Sequence, residues 1–192
     1  MLLNILVIAA LIALDQATKY LATMYLAPVG SMPLFPGVME LQYYLNDGAA
    51  FSILSGVEGG QIILLTVTGV VLAAMTVYLF WKKPAGLVRA ALLLTISGGL
   101  GNFIDRALNG VVVDFFAPTF IHFAVFNVAD VFVCTGVGLL FLAVLLEELA
   151  ARKKPEGSQA PQQPAADMDG QEGRQEGAVP RGTEEGRPDG TP

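Results

Sequence analysis

The chain has 192 residues, 54% of them hydrophobic and 15% charged, with a mean hydropathy of +0.58 and a formal net charge of −6. That balance lies outside the range of soluble domains and makes a membrane protein the starting class. A single cysteine, Cys134, excludes an internal disulfide framework, and the acidic balance leaves no basic patch for nucleic acid.

Four runs, residues 2–26, 61–81, 87–107 and 126–150, are long and apolar enough to cross a hydrocarbon core about 30 Å thick. Lipid leaves unpaired backbone groups without a partner, so each run is expected to be a helix. The first run is read as a span rather than a cleaved leader, because no Lys or Arg precedes it and no small-x-small site follows. Lys82, Lys83 and Arg89 flank the second loop, and Arg152, Lys153 and Lys154 follow the last run. Positive charge in short loops marks the cytoplasmic side, so both termini are expected inside, with residues 27–60 and 108–125 outside. Tyr78 and Trp81 then fall in the aromatic belt at the inner surface.

The first outer segment carries Pro28, Pro33 and Pro36 and then a partly alternating stretch over residues 38–44, which reads as short strands on the membrane surface. The second has Gly110 and apolar flanks, the composition of a segment able to move as a lid. Residues 155–192 hold eight acids against Arg174, Arg181 and Arg187 and almost no large apolar side chain, so they read as a disordered cytoplasmic tail. The expected architecture is therefore all-α and integral to a membrane. Four transmembrane helices and a small extracytoplasmic β-sheet element form a domain over residues 1–154, followed by the tail.

Ionisable groups inside a bilayer cost about 2.5 to 3.5 kcal/mol each on insertion scales, so their presence calls for pairing or function. Four clusters occur. In the first run, Asp15 and Lys19 sit one helical turn apart, an internal ion pair or support for a site. Asn46-Asp47-Gly48-Ala49-Ala50-Phe51 is a turn signal whose small residues also permit close approach of a substrate backbone. The third run ends in Gly98-Gly99-Leu100-Gly101-Asn102-Phe103-Ile104-Asp105-Arg106, with Asn102, Asp105 and Arg106 on one helical face. Its glycines allow tight helix packing, and Arg106 is placed to pair with Asp105 or to hold an anionic headgroup.

The fourth cluster is split between Val112-Val113-Asp114-Phe115 and Phe126-Asn127-Val128-Ala129-Asp130. Topology brings Asp114 and Asp130 to the same depth. Two readings of the second half compete: Asn127 and Asp130 as the cap and first-turn acid of the fourth helix, or Asp130 as the partner of Asp114. Two carboxyls in an apolar surround share a proton, so one can take a proton from water while the other donates to a carbonyl. His122 is the only histidine, so a His-Glu-x-x-His zinc site is absent. Cys134 lacks an obvious base and reads as a packing residue. A transporter would also carry intramembrane charges, but here all except Asp15 and Lys19 crowd the outer end of the spans.

In their order and spacing, these motifs resemble those of lipoprotein signal peptidase, also called signal peptidase II, over residues 1–152. The resemblance implies a four-helix membrane aspartic protease that removes signal peptides from prolipoproteins, cutting just before a diacylglyceryl-modified cysteine. Asp114 and Asp130 match the family's catalytic pair. Asp15, Lys19, Asn46, Gly48, Asn102, Asp105, Arg106 and Asn127 match positions that support the pair or contact substrate. It further implies no metal or other cofactor, lipidated prolipoproteins and membrane lipid as partners, inhibition by globomycin-type peptides, and the bacterial inner membrane as location. The tail departs from the family pattern, which usually stops soon after the basic residues of the last helix.

Overall fold

The structure is a computed structural model that describes residues 1–48 and 59–152. The Ala49-Ala50-Phe51 part of the turn motif and the C-terminal tail lie outside the described residues. Four helices form, α1 (Leu2–Tyr25), α2 (Gly60–Lys82), α3 (Gly86–Asn109) and α4 (Val128–Arg152), each long and apolar enough to span a membrane. Their bounds lie within two residues of the expected runs, because a hydropathy run ends where polar groups first find water. The outward faces of α2 and α4 are apolar and open, with Ile62, Val70, Phe141 and Val144 all more than 60% exposed, as a lipid-facing surface requires.

Among the described helices α3 is the centre, packing against α1, α2 and α4. Its small residues explain why. A Cβ at Gly98 would run into the Ala129 carbonyl and Val133, and a Cβ at Gly136 on α4 would meet Thr95 and the Ala91 carbonyl. Thr95 and Ser97 turn their hydroxyls back onto the Ala91 and Leu93 carbonyls, at 2.9 and 2.7 Å, so neither leaves an unpaired donor in this contact. Backbones that approach this closely replace the hydrophobic driving force that lipid does not supply. Gly136→Ala is accordingly expected to destabilise the protein by about 1 to 3 kcal/mol, because the Cβ meets backbone that cannot yield. Thermal unfolding in detergent would measure this, and an unchanged Tm would show that the two helices separate freely.

Three strands sit at the end of the helices where α1 and α3 finish and α4 begins: β1 (Ser31–Phe35), β2 (Met39–Asn46) and β3 (Val112–Pro118), all antiparallel in the order β1-β2-β3. Pro36-Gly37 makes the β1–β2 turn, with the Val38 N–H closing on the Phe35 carbonyl at 2.9 Å and Gly37 at φ +75°, where a side chain would be strained. Pro33 lies on the edge strand, where a missing N–H costs least. The expected stretch over 38–44 is thus real, and longer than expected.

β3 is the element not anticipated. Residues 112–118 form a sheet strand, paired with β2 from Met39↔Pro118 to Asn46↔Val112 with a register shift between Leu41 and Tyr44, and bridged by Phe116 to Phe126. The Phe126 carbonyl accepts from the N–H groups of both Phe115 and Phe116, at 3.0 and 2.8 Å. This pairing holds Phe126 out of α4, which therefore starts at Val128.

Candidate active site

Asp114 is carried by β3 and Asp130 by the first turn of α4, and both line one cavity of about 480 Å³. Asn127, fully buried, is the link between them. Its side-chain amide donates to Asp114 Oδ1 at 2.6 Å, and its backbone N–H donates to Asp130 Oδ2 at 3.0 Å. Its own Oδ1 accepts from the Asp130 N–H at 3.0 Å. That reciprocal pair is a capping box, and it leaves Asp130 lining the same cavity as Asp114, so the capping reading does not exclude the pairing reading.

The remaining carboxylate oxygens are also met by amides. Asn46 Nδ2 donates to Asp114 Oδ2 at 2.9 Å, and Asn102 Nδ2 donates to Asp130 Oδ1 at 2.8 Å. All four oxygens thus accept a hydrogen bond from an asparagine. Asn46 reaches Asp114 because Asn46 and Val112 are register partners two residues away, and its Oδ1 takes the Gly48 N–H at 3.0 Å, fixing the start of the turn. Asp114 is 1% exposed, and burial pushes its carboxyl up to about 6; the Asp130 charge adds to this, while the Asn46 and Asn127 hydrogen bonds oppose it.

Behind Asp130 lies a buried ion cluster. Lys19 Nζ is 2.8 Å from Asp15 Oδ2 and 2.7 Å from Asp105 Oδ2, and it donates to Asn102 Oδ1 at 2.8 Å. The Asp105 contact is an ion pair rather than an aligned hydrogen bond. A cation at Asn102 Oδ1 dictates which way this amide faces: the oxygen must point to Lys19, so the nitrogen points to Asp130. Asp15 Oδ1 accepts from the Ala129 N–H at 2.9 Å, so a carboxylate from α1 caps α4. The expected Asp15–Lys19 pair therefore exists and also serves the site. Gln16, a member of the same polar cluster in α1 to which the sequence assigns no site role, donates to Asp105 Oδ1 at 3.0 Å. Its signal was the one available: a polar side chain beside Asp15 in an apolar run.

Arg106 Nη2 donates to the Gly48 carbonyl at 2.7 Å, which joins α3 to the turn motif, while its buried Nε has no hydrogen-bond partner among the described residues and the side chain lines the cavity. It is not hydrogen-bonded to Asp105, whose carboxylate is held by Gln16 and Lys19. Cys134 is another correction. It is exposed and lines the cavity beside Thr135, because position 134 lies one turn beyond Asp130 on the same helical face.

Among the described residues the buried charges form one cluster rather than a path across the helices. Beyond it lies an apolar core of Leu79, Leu92, Leu93 and Ile96, and the Arg89–Asn4 hydrogen bond of 2.9 Å lies at the opposite end. Among the described residues no group of three or more His, Cys, Asp or Glu side chains is arranged to hold a metal ion.

Comparison with known proteins agrees with this architecture. The family profile described as signal peptidase (SPase) II matches residues 7–146. The lipoprotein signal peptidase of Brevibacillus brevis is 43% identical over 147 residues, covering 74% of this chain and 94% of that protein. Those of Halalkalibacterium halodurans and Streptococcus pyogenes are 40% and 39% identical, over 75% and 76% of this chain and 92% and 95% of their own lengths. A solved bacterial membrane enzyme, 31% identical, superposes with a TM-score of 0.69 over 81% of this chain and 94% of its own. With the four spans, these relatives make the chain a bacterial membrane peptidase, and it belongs to the signal peptidase II family.

Proposed function

We propose that Asp114 and Asp130 are a shared-proton catalytic pair that removes signal peptides from prolipoproteins, hydrolysing the bond before a diacylglyceryl-modified cysteine. The observation that carries this reading is Asn127, one buried side chain that touches both carboxyls in a single cavity.

In this mechanism one carboxyl is protonated and the other ionised. Burial makes Asp114 the proton holder, while Asp130, receiving a backbone N–H at the start of α4, is placed as the base. A water between them gives a proton to Asp130 as its oxygen attacks the scissile carbonyl carbon, and the Asp114 proton passes to the carbonyl oxygen. The tetrahedral intermediate collapses with cleavage of the C–N bond; the amine takes the proton from Asp130 and the hydroxyl returns its proton to Asp114. Arg106 Nε, buried and unpaired, donates to a backbone carbonyl of the bound peptide. Asp15, Lys19 and Asp105 hold Asn102 and α4 in place, and Gly48 holds Asn46 and Arg106, two residues that line the cavity.

The active unit is residues 1–154, with both termini cytoplasmic and the cavity at the outer leaflet of the inner membrane. There a lipid-anchored cysteine delivers its bond to the pair at high effective concentration, with no metal or cofactor taking part. Globomycin-type peptides would compete for the same cavity.

The test is cleavage of a synthetic prolipoprotein with and without its diacylglyceryl group. Cleavage confined to the lipidated form, at the bond before the cysteine, supports the reading; cleavage of both forms at equal rates would exclude lipid-directed positioning.

The pH profile gives a second check. Ionisation of Asp114 removes the acid, so kcat/KM is expected to fall as pH rises through about 6, by about tenfold per pH unit beyond it. Asn46 stabilises the charged form of Asp114, so Asn46→Leu raises the Asp114 pKa and moves this limb to higher pH. A limb that stays in place would mean that another group controls it.

A further inference from the structure

A second cavity, of about 330 Å³, is walled by α1 and the sheet and shares no lining residue with the first. Its size is at the lower end of ligand sites, roughly 300 to 1,000 Å³. One wall is a stripe of α1, Thr18, Leu21, Ala22 and Tyr25, at the i, i+3, i+4, i+7 spacing of a single helical face. The other is a row across the sheet, since Met32 pairs with Leu41 and Leu41 with Phe116 in the strand registers. Phe115 and Phe116, the two residues after Asp114, close it.

The lining has no charged residue, and the Thr18 hydroxyl is already spent on the Asp15 carbonyl at 2.7 Å, which leaves its methyl to the groove. Leu21, Tyr25, Met32 and Leu34 are 39% to 70% exposed although they line a concave apolar surface. Apart from the Tyr25 hydroxyl, the side chains that line it offer no hydrogen-bond partner to the backbone of an extended peptide. One wall is a helix long and apolar enough to span the membrane, so an acyl chain of the bilayer can reach the groove. We propose that it holds one acyl chain of a membrane phospholipid, which buttresses from behind the strand that carries Asp114. The lipid is a component of the bilayer and not the anchor of a substrate, because the groove and the Asp114–Asp130 cavity have no lining residue in common.

Wild type supplies its own control: its single tryptophan, Trp81, is 78% exposed at the end of α2 remote from the sheet. The reporter is Trp81→Phe combined with Leu34→Trp, with Met32→Trp as a second reporter should the first fail to fold. Phosphatidylglycerol brominated on its acyl chains is titrated into the detergent-solubilised protein. Quenching of the introduced tryptophan is expected to saturate at a single phospholipid per chain, while quenching of Trp81 in wild type rises linearly with lipid mole fraction. Amide exchange over residues 112–118 is expected to slow along the same saturating curve. Linear quenching at the introduced tryptophan, unchanged exchange in β3, or release of the quenching by a lipidated substrate peptide would each overturn the proposal. None of these readouts uses peptidase activity, so the result stands apart from the catalytic assignment.

Discussion

Asp114→Asn and Asp130→Asn are each expected to lower cleavage of a lipidated prolipoprotein by at least about a thousandfold, the scale of losing an acid or base in the transition state. The double variant should be no worse than either single one, since half a proton-sharing pair does no acid–base work. Neither substitution is silent for stability. Each carboxylate oxygen accepts from an asparagine amide or backbone N–H, so an introduced amide nitrogen faces a donor at Asn46 or Asn127 in the first case and at Asn102 or Asn127 in the second. The cost is about 1 to 3 kcal/mol. Tm in detergent therefore has to be measured beside activity. A folded variant that still cleaves at a tenth of the wild-type rate or better would remove that aspartate from the mechanism.

Lys19→Met carries the largest expected effect on stability. The ammonium is 4% exposed and lies between Asp15 and Asp105, which are 0% and 6% exposed. Removing one partner from buried charges leaves the others uncompensated, at a cost of about 3 to 5 kcal/mol, or roughly 10 °C in Tm. Adding Asp105→Asn to Lys19→Met removes one of the stranded charges and should recover part of the loss, a coupling that a double-mutant cycle measures. Lys19 also dictates the orientation of Asn102, so activity at a temperature where the variant remains folded should fall as well. A variant as stable as wild type would mean that the cluster is neutralised in some other way.

The two effects have one origin. The buried carboxylates and amides around Asp114 and Asp130 are held by partners from other elements, so a change at one is felt at the next. Asn127 shows this best, because it caps α4, bridges Asp114 to Asp130 and donates to Asn102 Oδ1 at 3.1 Å. Local pattern offered capping and catalysis as rivals for this region. Geometry makes them compatible, since a cap uses the first-turn carboxyl without consuming its remaining lone pairs.

The four helices were legible in the sequence because hydropathy is a local property and lipid tolerates no other backbone arrangement for such runs. So were the types of residue at the site, because an ionisable group in an apolar run is costly wherever the chain then goes. Who meets whom was not. Asp15 reaches the N–H of Ala129, Gln16 reaches Asp105, and Asn46 reaches Asp114, contacts 114, 89 and 68 residues apart that no periodicity encodes. β3 was hidden for a related reason: Val111-Val112-Val113-Asp114-Phe115-Phe116 lacks alternation, because both faces of the strand are partly covered, and its strand character comes from pairing with β2 and Phe126. Composition and spacing thus determined the membrane class, the spans and the polar residue types at the candidate site, while tertiary packing alone decided their partners, since hydrogen bonds and ion pairs depend on distances that only the assembled helices and sheet set.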